Sequence, residues 1–259
     1  YLRKRWKDNT EEERLLGVSL TGIMDNSILS RRRNTLPETL QEMRQKAVTV
    51  NKEWSEKLGI PQSTAITCVK PSGTVSQLVD SASGIHARHN PYYIRTVRGD
   101  KKDPLTEFMK DQGIPCEDDV MNPHNAVFSF PMKADSNAVF RDDMTAIEQL
   151  EIWKCYAEHW CEHKPSVTIS VKEHEWVNVG NWCWNNFDTL SGISFLPFSD
   201  HTYQQAPYQD IDKATYEELA SKMPKNINWS ELSKFEKEDT TKGSQELACT
   251  AGSCELVDI

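Results

Sequence analysis

Two cysteines near the end of the sequence have a spacing suited to thiol–disulfide exchange. Cys249 and Cys254 flank the residues Thr-Ala-Gly-Ser. One thiolate could attack a disulfide elsewhere, and the second could resolve the mixed disulfide that forms. Residues 234–243 are charged and lack a strong apolar period, which predicts a mobile tail over residues 234–259. Because spacing alone decides little, two inert cysteines on a frayed chain end remain an equal alternative.

A second chemical element follows a short apolar segment, residues 64–69, that we predict to be a buried strand. It is the turn formed by Pro71, Ser72, Gly73, Thr74 and Val75. Glycine allows the backbone to approach a ligand closely, and the amides at a helix start are unpaired donors that favour an anion. The hydroxyls of Ser72 and Thr74 would add two donors. An ordinary helix N-cap with nothing bound is the alternative, and the complete P-loop pattern is missing.

The overall composition is typical of a cytosolic enzyme. The 259 residues include 30 Lys and Arg against 39 Asp and Glu, and no basic face stands out, which argues against duplex nucleic acid as a partner. No apolar run approaches membrane-spanning length. The seven cysteines are odd in number and scattered, which favours a reducing compartment over a disulfide framework. We therefore predict a cytoplasmic protein that binds neither membrane nor duplex DNA.

The apolar periodicity predicts alternating helices and strands. A long helix is predicted to begin at Pro37 and to end at Gly59, and the spacing of Thr10 and Glu13 predicts the start of a short helix. Further strands are predicted at 92–98, 126–130, 166–171 and 192–197, and further helices at 105–112, 145–163 and 216–223. This alternation implies βα units around a largely parallel sheet or barrel.

Three potential metal ligands share one face of the predicted helix at 145–163. Cys155, His159 and His163 follow one another at intervals of four residues. Two such positions can bind a transition metal, but no further ligand is evident, and tryptophans at 153 and 160 indicate a packing helix. We therefore predict no metal site.

Five segments occur in an order that resembles a known family. They are Arg-Leu-Leu-Gly-Val-Ser-Leu-Thr-Gly at 14–22, Lys-Pro-Ser-Gly-Thr-Val-Ser at 70–76, Gly-Ile-His-Ala-Arg-His-Asn-Pro-Tyr-Tyr-Ile-Arg at 84–95, Pro-Ser-Val-Thr-Ile-Ser-Val at 165–171 and His-Thr-Tyr-Gln-Gln-Ala-Pro-Tyr at 201–208. Together with the terminal cysteine pair, they resemble the C-terminal half of class II ribonucleotide reductases. The resemblance is greatest to the monomeric, adenosylcobalamin-dependent ribonucleoside-triphosphate reductases.

The resemblance implies a fold and a reaction. Residues 1–233 would be the C-terminal half of a ten-stranded α/β barrel, followed by a flexible redox tail at 234–259. The cofactor would be adenosylcobalamin, the substrate a ribonucleotide, and the reductant a thioredoxin-like protein. A thiyl radical on a cysteine inside the barrel would start the reaction.

The resemblance also implies residue roles. The turn from Pro71 to Val75 would hold the substrate phosphates, and the pair Cys249 and Cys254 would restore a buried dithiol after each turnover. His86 and His89 could border the active site or serve the structure.

One family feature is missing from this sequence. The radical loop of the family reads Asn-x-Cys-x-Glu, whereas Asn181-Trp-Cys-Trp-Asn185 lacks the glutamate. We expect the loop in an N-terminal reductase fragment, upstream of Tyr1, with which this chain pairs. Two alternatives remain: the C-terminal part of a diiron-dependent (class I) large subunit, and a non-catalytic phosphate-binding or assembly fragment.

Overall fold

The computed structural model describes residues 1–30, 35–72, 75–198 and 204–236, together with the backbone of two short strands at 248–250 and 253–255. The helices are α1 (Lys4–Glu13), α2 (Leu36–Leu58), α3 (Val75–Leu78), α4 (Pro104–Asp111), α5 (Ala146–His159), α6 (Trp176–Asn185) and α7 (Lys213–Lys222). The strands are β1 (Val18–Ser19), β2 (Thr67–Cys68), β3 (Tyr92–Asp100), β4 (Cys116–Asp118), β5 (Asn125–Lys133), β6 (Val167–Val171), β7 (Ile193–Pro197), β8 (Tyr208–Asp210), β9 (Ala248–Thr250) and β10 (Ser253–Glu255). No helix in these described ranges combines the length and apolar character needed to cross a membrane.

The chain divides into two compact units. The first comprises Tyr1–Pro91 and Ala134–His201, and the second comprises Tyr92–Lys133 and Thr202–Ile259. The second unit therefore joins a central insertion to the C-terminal part of the chain, a division that the sequence patterns did not indicate.

Helices α2 and α5 supply much of the apolar core of the first unit. Leu36 and Leu40 of α2 and Leu150 and Trp153 of α5 belong to one cluster of buried side chains. The predicted limits of α2 are confirmed, because Pro37 lies in its first turn and Gly59 ends it with a φ of 64°. Such a left-handed C-terminal residue is favourable for glycine, which has no Cβ.

Two parallel strand pairs run through the first unit. In one, β1 pairs with β2; in the other, β6 pairs with β7. A side chain binds two amides around β2, because the Glu162 carboxylate accepts the N–H groups of Ile66 (3.0 Å) and Thr67 (3.2 Å). Burial alone would raise the pKa of Glu162, but these hydrogen bonds and the nearby Arg44 lower it.

The second unit is built on an antiparallel sheet. Its strand order is β4-β5-β3-β8, and β3 and β5 pair along nine residues each. The strands predicted near 92–98 and 126–130 are therefore present but antiparallel. Among the described strands, only the pairs of the first unit are parallel. Its small core contains Ile114, Ala126 and Phe128.

The prediction that a helix starts at Thr10 was wrong. Helix α1 ends at Glu13, and the Thr10 hydroxyl donates to the Trp6 carbonyl inside it (2.9 Å). Arg14 ends the helix with a φ of 46° and donates its amide to the Thr10 carbonyl. The Thr10 hydroxyl therefore bonds within the helix and does not cap its start.

Candidate functional site: a clamped turn after β2

The predicted phosphate turn leaves the C-terminal end of β2 and reaches helix α3. Pro71 is exposed, Ser72 is partly buried, and Val75, the first residue of α3, is 60% exposed. Gly73 and Thr74 lie outside the described residues, so their predicted role as donors stays a prediction. A turn at the carboxyl end of a parallel strand is a common location for a ligand site in α/β folds.

Ser72 is held through three groups. Its N–H donates to Ser83 Oγ (2.9 Å), and its carbonyl accepts the hydroxyl of Ser76 in α3. Its own Oγ lies 3.3 Å from the Oγ1 of Thr21, which follows β1. These partners lie 4, 11 and 51 positions from Ser72, so local and distant contacts together fix this residue of the turn.

The proton on the Ser72 hydroxyl can be assigned from the partners of Thr21. The Thr21 hydroxyl donates to the Ala82 carbonyl (3.0 Å) and accepts the Gly84 amide (3.4 Å). A hydroxyl has only one proton, so Thr21 must accept in its contact with Ser72, and Ser72 must donate. The Ser72 hydroxyl can therefore donate to a phosphate only if it leaves Thr21.

Gly84, in the segment that follows α3, packs closely against the residues that lead into the turn, and its φ is 52°. A Cβ at this position would lie 3.2 Å from the Lys70 carbonyl oxygen and 3.3 Å from Val69 Cγ1. A side chain here would combine backbone strain with crowding, so glycine permits the close approach.

His86 connects this segment to strand β6. Its Nε2 accepts the N–H of Thr168 (3.1 Å), and its Nδ1 lies 3.1 Å from the Ser83 carbonyl. A ring nitrogen that accepts an amide carries no proton, so the neutral ring must carry its proton on Nδ1 and donate it to Ser83. Burial lowers the pKa of His86 from its ordinary value of 6.5 and so favours this neutral form. The hydrogen bond to the Ser83 backbone acts in the opposite direction but is the smaller effect.

A buried arginine holds the same segment from the other side. Arg88, only 4% exposed, donates from Nε and Nη2 to the two carboxylate oxygens of Asp25, at 2.8 and 3.2 Å. It also donates to the Asp80 carboxylate (3.1 Å) and to the Asp80 carbonyl. Asp25 in turn accepts the Ala82 amide at 2.6 Å. These bonds fix the chain between α3 and His86.

His89, the second histidine predicted near the site, lies at a bend three residues after His86 and is partly buried. Its role as an active-site border stays a prediction. His86, in contrast, reaches the turn indirectly, because its ring contacts Ser83, which in turn bonds to Ser72.

The three candidate metal ligands on α5 and after it have other interactions. His159 Nδ1 lies 2.9 Å from the Gln41 amide nitrogen, and His163 Nε2 lies 2.6 Å from the Leu16 carbonyl. Cys155 is buried in the core of the first unit. Within the described part of the chain, no three His, Cys, Asp or Glu side chains are grouped to hold a metal ion.

The two tail cysteines are brought opposite one another. Strands β9 and β10 form an antiparallel pair in which Cys254 is the register partner of Cys249. Directly opposed residues in such a pair have Cα atoms about 4.5–5.5 Å apart, which is within the range that a disulfide spans. The rest of the proposed tail, apart from residues 234–236, lies outside the described residues.

The sequence did not reveal the residues that clamp the turn. Thr21 and Arg88 lie inside segments that carry the family resemblance, and Ser83 immediately precedes one. Asp25 falls outside those segments. The signal that could have found Thr21 and Ser83 is their position next to Gly22 and Gly84, since glycine is typical of tight turns and close backbone approaches.

No protein-family model matches the chain. Several curated relatives do match it. The adenosylcobalamin-dependent ribonucleoside-triphosphate reductase of Euglena gracilis is 29% identical over 255 residues, covering 96% of this chain and 35% of that protein. The protein of the same name from Levilactobacillus brevis is 30% identical over 177 residues, covering 67% of this chain and 24% of that protein. That of Lactobacillus acidophilus is 27% identical over 227 residues, covering 85% of this chain and 30% of that protein. The chain thus spans about a third or less of the length of these relatives.

A solved structure has the same fold. It is a B12-dependent (class II) ribonucleotide reductase that matches with a TM-score of 0.77 and 24% identity, covering 89% of this chain and 36% of that one. The α/β fold class predicted from the sequence is confirmed. The resemblance to class II reductases is likewise confirmed by the names of the curated relatives.

Proposed function

We propose that this chain is part of an adenosylcobalamin-dependent ribonucleotide reductase that converts ribonucleoside triphosphates to 2'-deoxyribonucleotides. The observation that carries the proposal is the turn after β2. Its residue Ser72 is fixed by Thr21, Ser76 and Ser83, and Thr21 and Ser76 lie in segments that resemble the family. A residue that is held in place by its neighbours suits an anion whose position must be fixed before a reaction.

In this proposal, the chain binds the substrate through its phosphates. Pro71, Ser72, Gly73, Thr74 and Val75 form the cradle. On binding, the Ser72 hydroxyl turns from Thr21 toward a phosphate oxygen, exchanging a 3.3 Å bond between neutral groups for a charge-assisted one. Hydrogen bonds to a charged group are stronger than those between neutral groups.

The tail supplies electrons. Reduction breaks the bond between C2' and its hydroxyl, the oxygen leaves as water, and two thiols are oxidised to a disulfide. Cys249 and Cys254 would reduce that disulfide by exchange, becoming a disulfide themselves. A thioredoxin-like protein would then return two electrons and two protons to them. The register of β9 and β10 supports this role, because opposed cysteines can close a ring.

The remaining components would come from elsewhere. Adenosylcobalamin would supply the initiating radical, and no described residue of this chain is assigned to holding it. The radical cysteine would lie in an N-terminal reductase fragment that pairs with this chain. A reducing, cytoplasmic location is part of the proposal, since both the radical cysteine and the tail pair must return to thiols.

Reconstitution tests the proposal. The chain would be mixed with an N-terminal fragment that carries an Asn-x-Cys-x-Glu loop, and deoxyribonucleotide formation would be measured with and without adenosylcobalamin. We expect turnover only when both additions are present. Turnover with a diiron subunit instead of adenosylcobalamin would favour a class I reductase. Turnover by the chain alone, or none in any mixture, would contradict the proposal.

Variants of the turn test the phosphate role in the same mixture. Ser72→Ala and Thr74→Ala together should weaken nucleotide binding more than tenfold, since each lost bond to a charged group contributes about 1.5–3 kcal/mol. Gly73→Val should weaken it further by blocking the approach of the backbone. Ser194→Ala, in β7 of the same unit, serves as a matched hydroxyl control. Equal affinities in all four proteins would refute the assignment.

A further inference from the structure

We infer that His86 is a positioning residue for the phosphate turn, which it holds in register with strand β6 through Ser83. The inference rests on the proposed phosphate-binding role of the turn. A continuous series of hydrogen bonds supports it. The Thr168 amide donates to His86 Nε2, His86 Nδ1 donates to the Ser83 carbonyl, and Ser83 Oγ accepts the Ser72 amide.

The first bond has a fixed direction because of the strand. Strand β6 pairs with β7 on one edge, where the Val167 amide donates to the Gly192 carbonyl (2.9 Å). Successive amides of a strand point to opposite edges, so the Thr168 amide points away from β7, where His86 accepts it. Because β6 is anchored by β7, its amide provides a firm point of attachment for the ring.

The second bond follows from the first. With Nε2 accepting, the ring must donate from Nδ1, and the Ser83 carbonyl is the acceptor in reach. The His86 amide donates to the same carbonyl at 2.9 Å, so two bonds from one residue close a tight turn over 83–86. This turn places the Ser83 hydroxyl where it accepts the Ser72 amide.

The neighbouring contacts leave the segment little freedom. Gly84 meets Lys70 and Val69 so closely that even a Cβ would be crowded. Arg88 fixes the chain on the far side of His86 through Asp25. The bond from His86 to β6 adds a fixed point next to Ser83, whose hydroxyl accepts the Ser72 amide, and so helps to position Ser72.

The first test measures the proton position and the turn in the free 259-residue chain. Nitrogen-15 NMR of labelled histidine should show a proton on Nδ1 and none on Nε2 of His86 at pH 7.5. His86→Phe should speed amide hydrogen exchange at Ser72 by about five- to tenfold, as expected for the loss of about one hydrogen bond. His163→Phe is the matched control, because that ring also contacts a backbone carbonyl in the same unit, that of Leu16. It should leave exchange at Ser72 unchanged.

Two further variants separate positioning from general destabilisation. His86→Asn keeps a donor near the place of Nδ1 and should restore part of the protection at Ser72. Ser83→Ala removes only the acceptor of the Ser72 amide and should speed exchange even if His86→Phe does not fold. Because both changes act through one linkage, the double variant should be no faster than the faster single variant. Unchanged exchange at Ser72 in His86→Phe and Ser83→Ala would overturn the inference.

A binding measurement in the reconstituted mixture distinguishes this inference from the proposed function. His86→Phe should lower the affinity for a ribonucleoside triphosphate by about five- to tenfold while leaving the affinity for the unphosphorylated ribonucleoside unchanged. If Ser72→Ala and Gly73→Val lower the affinity for the triphosphate but His86→Phe does not, the turn still binds phosphate and the positioning role of His86 is refuted. If none of the three variants weakens it, the phosphate role itself falls, and with it the functional meaning of the linkage.

Discussion

Replacing Arg88 by methionine should destabilise the first unit by about 3 kcal/mol. Its guanidinium is almost fully buried and makes two bonds to Asp25 and two to Asp80. Removing one partner of a buried ion pair typically costs about 3–5 kcal/mol, because the other charge is left uncompensated. Asp25 keeps the Ala82 amide and its side chain remains 17% exposed, so the lower end of that range applies.

Asp25 and Asp80 should contribute very differently to the free energy of unfolding. The Asp80 side chain is 60% exposed, and ion pairs at such sites are worth about 0–1 kcal/mol. Asp80→Asn should therefore cost less than about 1 kcal/mol. Asp25→Asn combined with Arg88→Met should recover part of the loss, since no unpaired carboxylate would remain.

Urea denaturation followed by tryptophan fluorescence measures these effects, with the buried Trp153 and Trp160 reporting on the first unit. With a slope of about 2 kcal/mol per molar urea, Arg88→Met should lower the midpoint by about 1.5 M. A shift below about 0.5 M would refute the buried-pair argument. Equal shifts for Asp80→Asn and Arg88→Met would show that the exposed acid, not Asp25, is the important partner.

Three further predictions concern the tail, the pH dependence and the thiols. Serine at Cys249 or Cys254 should leave the first turnover of the reconstituted enzyme intact and block later ones with a thioredoxin-like reductant, whereas a small dithiol should rescue them; survival of multiple turnovers in both variants would show an inert tail. Burial lowers the pKa of His86 in the folded state, so the unfolded chain binds more protons below pH 6.5. The contribution of His86 to stability is therefore present above that pH and is lost as the pH falls through the folded pKa. Urea midpoints between pH 5 and 7.5 should accordingly change less in His86→Phe than in the parent chain, and identical slopes would contradict this. Iodoacetamide should label the exposed Cys116 in the folded protein well before Cys161, whose pKa burial raises to about 12, as mass spectrometry can check; equal labelling would be inconsistent with a buried thiol.

Local chemistry in the sequence determined much of the secondary structure. Pro37 and Gly59 bounded the longest helix correctly, because both residues act on the backbone within one turn of themselves. The alternation of apolar residues in β6 was equally informative, since a strand buried on one face shows it directly. The ordered segments that resemble class II reductases were also readable without coordinates.

Tertiary structure alone decided which strands pair and in which direction. The sequence pattern of a strand reports which face is buried, but it carries little information on the neighbour, so β3 and β5 could not be recognised as an antiparallel pair. The capping pattern at Thr10 failed for a related reason, because hydroxyls bond to nearby backbone groups at both ends of helices and within them.

The candidate site likewise combines local features that the sequence indicates with distant contacts that only the tertiary structure decides. Ser72 stood out from its place between a buried strand and a helix start, which is local information. Its partners Thr21 and Ser83 lie 51 and 11 positions away, and the Thr168 amide that orients His86 lies 82 positions from that histidine. Residue types and spacing therefore indicated where an anion could bind. Only the packing of β1, β2 and β6 with the segment after α3 decided how that turn is held, because hydrogen bonds between distant segments depend on the chain's path through space.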